Sequence, residues 1–117
     1  VETVRTGLLQ FLARACDAGE QVAAYGAAAK GNTLLNFCGV TSNEISFVAD
    51  VSPHKQDKLL PGSRIPVLAP NALRARQPDH VLILPWNLKA EITAAHGYVR
   101  EWGGDFVIAV PELTVLP

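Results

Sequence analysis

Between Tyr25 and Asn32 the sequence reads Tyr-Gly-Ala-Ala-Ala-Lys-Gly-Asn, a run of small residues carrying one positive charge. Gly26 can take backbone conformations closed to other residues, and the alanines leave the main chain nearly bare, so a ligand can approach closely. Lys30 adds charge where the first amides of a helix are unpaired, an arrangement suited to a phosphate or another anion. Against the dinucleotide-binding pattern G-x-G-x-x-G, Gly26, Ala28 and Gly31 stand at the three glycine positions, with alanine in the middle. Asp50 follows Gly26 by 24 residues, about the spacing at which such folds place an acidic residue on ribose hydroxyls. The same residues have plainer uses. Loop glycines allow close packing, and an aspartate before Ser52-Pro53 suits a turn or cap.

These residues need elements to position them. Val1, Val4, Leu8, Leu12 and Ala15 recur at helical spacing, predicting an amphipathic helix from about Glu2 to Ala18 that ends at Gly19. Gln21 to Tyr25 suits a buried strand, and the glycine loop leads into a helix from about Lys30 to Cys38, stopped by Gly39. Ile45 to Ala49 is the next strand and ends at Asp50. His54 to Arg64 is a polar, basic surface loop holding Lys55 and Lys58, with a turn at Pro61-Gly62. Ile65 to Leu68 is a short strand, and Pro70 opens a short helix through Ala75. His80 to Leu84, the most continuous apolar run, predicts a central strand buried on both faces. Asn87 suits the N-cap of a helix in which Leu88, Ile92, Ala95, Val99 and Trp102 form one stripe, closed by Gly103-Gly104. Phe106 to Val110 is the last strand, and Pro111-Glu112 begins an extended tail.

Alternating strands and helices predict an α/β fold: three-layer, Rossmann-like, with a mostly parallel sheet and helices on both faces. In such a sheet Tyr25, Gly26, Asp50, Pro85 to Asn87 and Glu112 all fall just past the carboxyl ends of strands, where ligands bind. Trp86 there could stack on a base or a sugar.

The 117 residues suit a single domain, 1–117, and a 49% hydrophobic content argues for a packed core over a disordered tail. A chain that opens on a helix with no strand before it is expected to be the tail of a longer protein. The net charge of −1 supplies no basic field for nucleic acid, so an anion must be held by local geometry and one or two lysines. No apolar run reaches membrane-span length and no signal peptide pattern opens the chain, so a cytoplasmic location without a membrane partner is expected. Cys16 and Cys38 read as small buried thiols without a disulfide. His54, His80 and His96 lack zinc-ligand spacing, and no metal site is expected.

Three segments carry a resemblance: Tyr25 to Asn36, with Tyr-Gly-Ala-Ala-Ala-Lys-Gly-Asn-Thr-Leu-Leu-Asn; Asp50 through Lys55-Gln56 and Pro61-Gly62 to Ile65-Pro66-Val67; and Leu82-Ile-Leu-Pro-Trp-Asn87. Together they resemble the C-terminal domain of the S-adenosylmethionine-dependent sugar C-methyltransferases, which act on nucleotide-linked deoxysugars. The resemblance implies a Rossmann-like domain that helps hold a nucleotide-diphosphate sugar. It also implies a methyl donor and catalytic base in a preceding domain, and a zinc-binding portion before both. No catalytic residue and no cofactor is then expected in this chain, which would be silent alone. The ligand contacts it implies are Tyr25, Gly26, Ala28, Lys30, Gly31 and Asn32 around the diphosphate, Asp50 on a hydroxyl, Lys55 from the loop, and Trp86 and Asn87 on the base or sugar. The chain departs from the family at Ser52, where asparagine is common, and at Asp57, where glycine is common.

Other functions remain open on the residues: a stand-alone dinucleotide or S-adenosylmethionine binder, a structural or dimerising module whose glycine loop only packs, and the nucleotide-sugar domain of an acyltransferase.

Overall fold

The computed structural model describes residues 2–27, 29–110 and 113–116, without the side chains of Glu2, Thr3, Ala29 and Lys30. Val1, Ala28, Pro111 and Glu112, singled out in the sequence, lie outside the described residues, as does the side chain of Lys30.

The helix α1 spans Glu2–Asp17, β1 Val22–Tyr25, α2 Ala29–Cys38, β2 Val48–Ala49, β3 Val67–Leu68, α3 Asn71–Arg76, β4 His80–Ile83, α4 Lys89–Ala95, β5 Asp105–Ile108 and β6 Thr114–Val115. The strands form one sheet in the order β3-β2-β1-β4-β5-β6. Strands β1 to β5 run parallel to their neighbours, and β6 lies antiparallel on β5, with Val107 opposite Val115. The result is a mixed, mostly parallel α/β sheet flanked by helices.

Strand side chains alternate between the two faces of a sheet, and the core divides accordingly. Val22, Ala24, Leu82 and Val107 pack in one cluster with Leu8, Leu12 and Ala15 of α1 and Leu35 of α2. Ala23, Val81, Ile83 and Phe106 pack in another with Leu73 of α3 and Ile92 of α4. Because β1 and β4 are buried on both sides, they are apolar at every position but His80, and Tyr25 is only partly buried. Of the α1 stripe predicted from periodicity, Leu8, Leu12 and Ala15 are each at most 3% exposed and Val4 is partly buried, and Phe11, outside that stripe, joins them at 7%.

Several expectations need correction. Residues 87–102 do not form one helix. A 3₁₀ turn at Trp86–Leu88 precedes α4, and a second 3₁₀ segment, Gly97–Trp102, follows it. Asn87 lies inside the first turn, and the cap position Pro85 makes no side-chain capping bond. The apolar stripe overrode two local facts. Leu88 is 44% exposed, and the ladder stops at His96, whose φ of −121° is not helical. Cys16 is exposed, whereas Cys38 is buried; neither forms a disulfide. The last strand stops at Ile108, and the tail returns as β6 to pair with it. Among the described residues, no helix is long and apolar enough to cross a membrane.

Candidate functional site

The strand order reverses between β1 and β4: the chain builds outward from β1 to β2 and β3, then crosses to β4 and β5. At such a switch point the loops leaving the two central strands part and open a crevice at their carboxyl ends. Gly26 and Pro85 leave these two strands side by side, since Tyr25 pairs with Ile83 and the Leu84 amide donates to the Tyr25 carbonyl at 3.1 Å.

Gly26 has φ +93°, a left-handed conformation that favours glycine. A side chain there would also strike the neighbouring strand end, because a Cβ on Gly26 would lie 2.6 Å from Pro85 Cδ. Gly31, in the first turn of α2, meets the same segment: its Cβ would lie 2.6 Å from Leu84 Cβ. The two glycines thus let the loop and the helix start press onto the segment that leaves β4.

Ala27 is 8% exposed and is gripped at both ends of its main chain. Its amide donates to Asp50 Oδ2 at 2.6 Å, and its carbonyl accepts from Lys55 Nζ at 3.1 Å. Asp50, only 9% exposed, also accepts from the Ser52 amide through Oδ1 at 2.8 Å. Its own carbonyl accepts from Gln56 Nε2 at 2.8 Å. The segment after β2 is therefore wrapped around Asp50 and leans on the glycine loop. Beside it a cleft of about 320 Å³ is lined by Ala27, His54, Lys55, Lys58, Leu59 and Pro61 among others, with no carboxylate among the described residues of its wall.

Asp57 has φ +64°, so the loop keeps a left-handed backbone where glycine is the common residue of the resembling family. Its amide donates to the Val67 carbonyl at 2.8 Å, which holds that conformation. Ser52 offers its main-chain amide to Asp50, a bond that does not depend on the side chain at that position.

On the far side of Tyr25 is an aromatic group the sequence did not foretell. The Tyr25 ring lies 4.6 Å from the His96 ring, His96 Nδ1 is 2.7 Å from the Tyr98 hydroxyl, and the Arg74 guanidinium covers the Tyr98 ring at 3.9 Å. Burial, then the charge of Asp50 and the neighbouring Tyr98, pushes the Tyr25 phenol above its ordinary range. Burial lowers His96, so its imidazole is held toward the neutral form.

The residues expected at the site are thus brought together in part. Tyr25, Gly26, Gly31, Asp50 and Lys55 meet around the β1 end. Trp86 is half-buried and packs against the apolar cluster that contains Phe106, while Asn87 is exposed beyond it. Asn32 lies in α2, and its Oδ1 is buried without a hydrogen-bond partner among the described residues. Gln56 was missed, and so was the part Ala27 plays within the expected Gly26 to Gly31 run. Ala27 is held by Asp50 and Lys55 through main-chain atoms alone, which no residue type announces. Gln56 carried a signal in the Lys55-Gln56 pair of the resembling segment. Among the described residues, no group of three or more His, Cys, Asp or Glu side chains is placed to hold a metal ion.

Residues 1–111 match the family described as the C-methyltransferase C-terminal domain. The chain belongs to that family. This C-methyltransferase C-terminal domain is also 39% identical over 115 residues to the C-methyltransferase NovU of Streptomyces niveus, covering 98% of this chain. It spans 27% of that relative's length. The domain's glycine loop, its Asp50 segment and its Pro85-Trp86 turn all fall within the matched residues.

Proposed function

We propose that this domain holds the diphosphate handle of a nucleotide-linked deoxyketosugar while the rest of a longer S-adenosylmethionine-dependent enzyme methylates a sugar carbon. The observation that carries the reading is the glycine loop at the β1/β4 switch point of a fold read as a three-layer Rossmann-like domain, in a chain of the C-methyltransferase C-terminal family. The start of α2 suits an anion, while the Gly26 amide donates to the Ala49 carbonyl at 2.8 Å and holds the bend that leads to it. Lys30 and Lys55 supply charge, and Lys55 keeps protons to donate after its bond to Ala27, since an ammonium has three. Asn32 is a proposed contact beside the diphosphate, and Trp86 and Asn87 are the proposed contacts farther along the ligand.

C-methylation needs a base to remove a proton from the carbon beside the sugar ketone and a donor to supply the methyl group. S-adenosylmethionine is that donor. Asp50, the residue that would read its ribose, already accepts a main-chain amide on each oxygen, which favours placing the donor in another domain. Base, donor and a zinc-binding portion are assigned to preceding domains of the same cytoplasmic enzyme. The contribution of this domain is position: binding energy at the remote nucleotide orients the reacting sugar, so its loss lowers turnover as well as affinity. Calorimetry with a thymidine or uridine diphosphate sugar tests this. Binding that weakens in Lys30→Ala supports the reading, and a silent titration in the full-length protein removes it.

A second reading, a packing module without ligand, is favoured by the close approach of Gly26 and Gly31 to Pro85 and Leu84. It predicts that Lys30→Ala changes neither affinity nor the activity of the enzyme.

A further inference from the structure

In folds that bind dinucleotides, an acidic residue at the end of the second strand reads ribose hydroxyls. Here that residue is used differently. Every polar atom of Asp50 has a partner within the domain: its amide donates to the Leu68 carbonyl at 2.9 Å, its carbonyl accepts from Gln56, and its carboxylate oxygens accept from Ser52 and Ala27. The bond to Ala27, at 2.6 Å, is short for an amide donor, as bonds to an ionised carboxylate are. Lys55, five residues on, takes the other side of the same alanine.

From this we infer that Asp50 is a positioning residue that sets the shape of the glycine loop, with Lys55 as its counterpart, and that it does not select the sugar of the nucleotide. The inference rests on the diphosphate-binding reading above. A carboxylate is required because Ala27 and Ser52 both bring N–H donors to it. An asparagine would present its own amide group to one of them, leaving that donor unpaired. Because the buried Asp50 carboxylate is engaged with the loop's own amides, the loop grips diphosphate whether or not a 2′-hydroxyl follows. The site therefore accepts ribonucleotide and 2′-deoxyribonucleotide handles alike.

The test uses three probes, uridine diphosphate, 2′-deoxyuridine diphosphate and inorganic pyrophosphate, titrated into the wild-type protein and Asp50→Asn. Positioning predicts that the variant loses affinity for all three by one common factor, about tenfold for a charge-assisted bond, with an unchanged ratio between the ribo and deoxy ligands. A loss confined to uridine diphosphate would show that Asp50 reads the hydroxyl and would overturn the inference. Should Asp50→Asn fail to fold, the wild-type protein decides. Its Ala27 amide is expected to resonate downfield and exchange slowly with solvent, and an amide that exchanges like an open loop sinks the clamp. If the wild type binds none of the three probes, the diphosphate reading falls, and the Ala27 amide still reports on the role of Asp50 by itself.

Discussion

Gly26 and Pro85 touch across the ends of the two central strands so closely that a single added carbon at Gly26 would stand 2.6 Å from the proline ring. Two costs coincide there, a left-handed φ of +93° and a collision with a rigid ring. Gly26→Ala is expected to destabilise the fold by roughly 2–4 kcal/mol, the sum of backbone strain and overpacking. Gly19→Ala, at φ +72° with nothing within 4 Å of the new carbon, incurs the backbone term alone, about 1 kcal/mol. Urea denaturation of the two variants checks the difference, and equal losses would mean that the Pro85 contact carries no weight.

Asp57 takes a conformation that costs a side-chain-bearing residue about 1–2 kcal/mol, although aspartate bears it better than most. Replacement by glycine removes that strain but frees the unfolded chain. The balance favours Asp57→Gly by about 0.5 kcal/mol. Asp57→Val, branched at Cβ, should lose more than 1 kcal/mol. Thermal melts of both variants test the order, and a stabilising valine would contradict the left-handed assignment.

At the opposite end of the sheet, His80 lies between two carboxylates, with Nδ1 2.6 Å from Asp105 and Nε2 2.8 Å from Glu20. Burial alone would lower its pKa, but the hydrogen bonds and charges of Glu20 and Asp105 outweigh it, and the imidazole is raised above its ordinary 6.5. A raised folded value means that the folded state holds the proton more tightly than the unfolded state. The stabilisation is then complete below about pH 6.5 and is lost as pH rises through the folded value. His96 has the opposite sign. Burial lowers it, so its contribution is present above 6.5 and lost as pH falls through its folded value. Denaturation midpoints across this range should therefore decline above pH 6.5 in the wild type and decline less in His80→Gln, and an unchanged slope in His80→Gln would refute the assignment.

Trp102 donates its indole N–H to the Pro78 carbonyl at 2.9 Å, tying the second 3₁₀ segment to the turn before β4. Trp102→Phe keeps most of the ring surface but leaves that carbonyl without its donor, at a cost of about 1–2 kcal/mol. Chemical denaturation measures it, and a neutral phenylalanine would mean that another group takes over the bond.

The layout of the fold was legible wherever a period or a stop signal was strong. The α1 stripe, the buried β4 run and the stops at Gly19 and Gly39 all appear where the residue pattern puts them. What the sequence hid has physical causes. The helix after β4 kept its apolar period through His96 and Gly97, but the pairing of His96 with Tyr98 and of Trp102 with Pro78 draws the chain into a tighter turn. Strand β6 is two residues long, too short to give an alternating pattern, and exists because β5 offers it an edge. At the site, Asp50 was visible as an acidic residue at a suggestive spacing. Its partners were not, because three of the four groups that satisfy it are main-chain atoms.

The chain itself narrows both margins of the sheet. Beyond β3, the Val67 carbonyl and amide are taken by Asp57 and Lys58 at 2.8 Å each, and beyond β5 the two-residue β6 fills the other side. Open strand margins are templates on which further copies can stack into fibrils. With a loop over one flank and an outermost strand of only two residues on the other, the described residues leave a second molecule a short edge on which to extend the ladder.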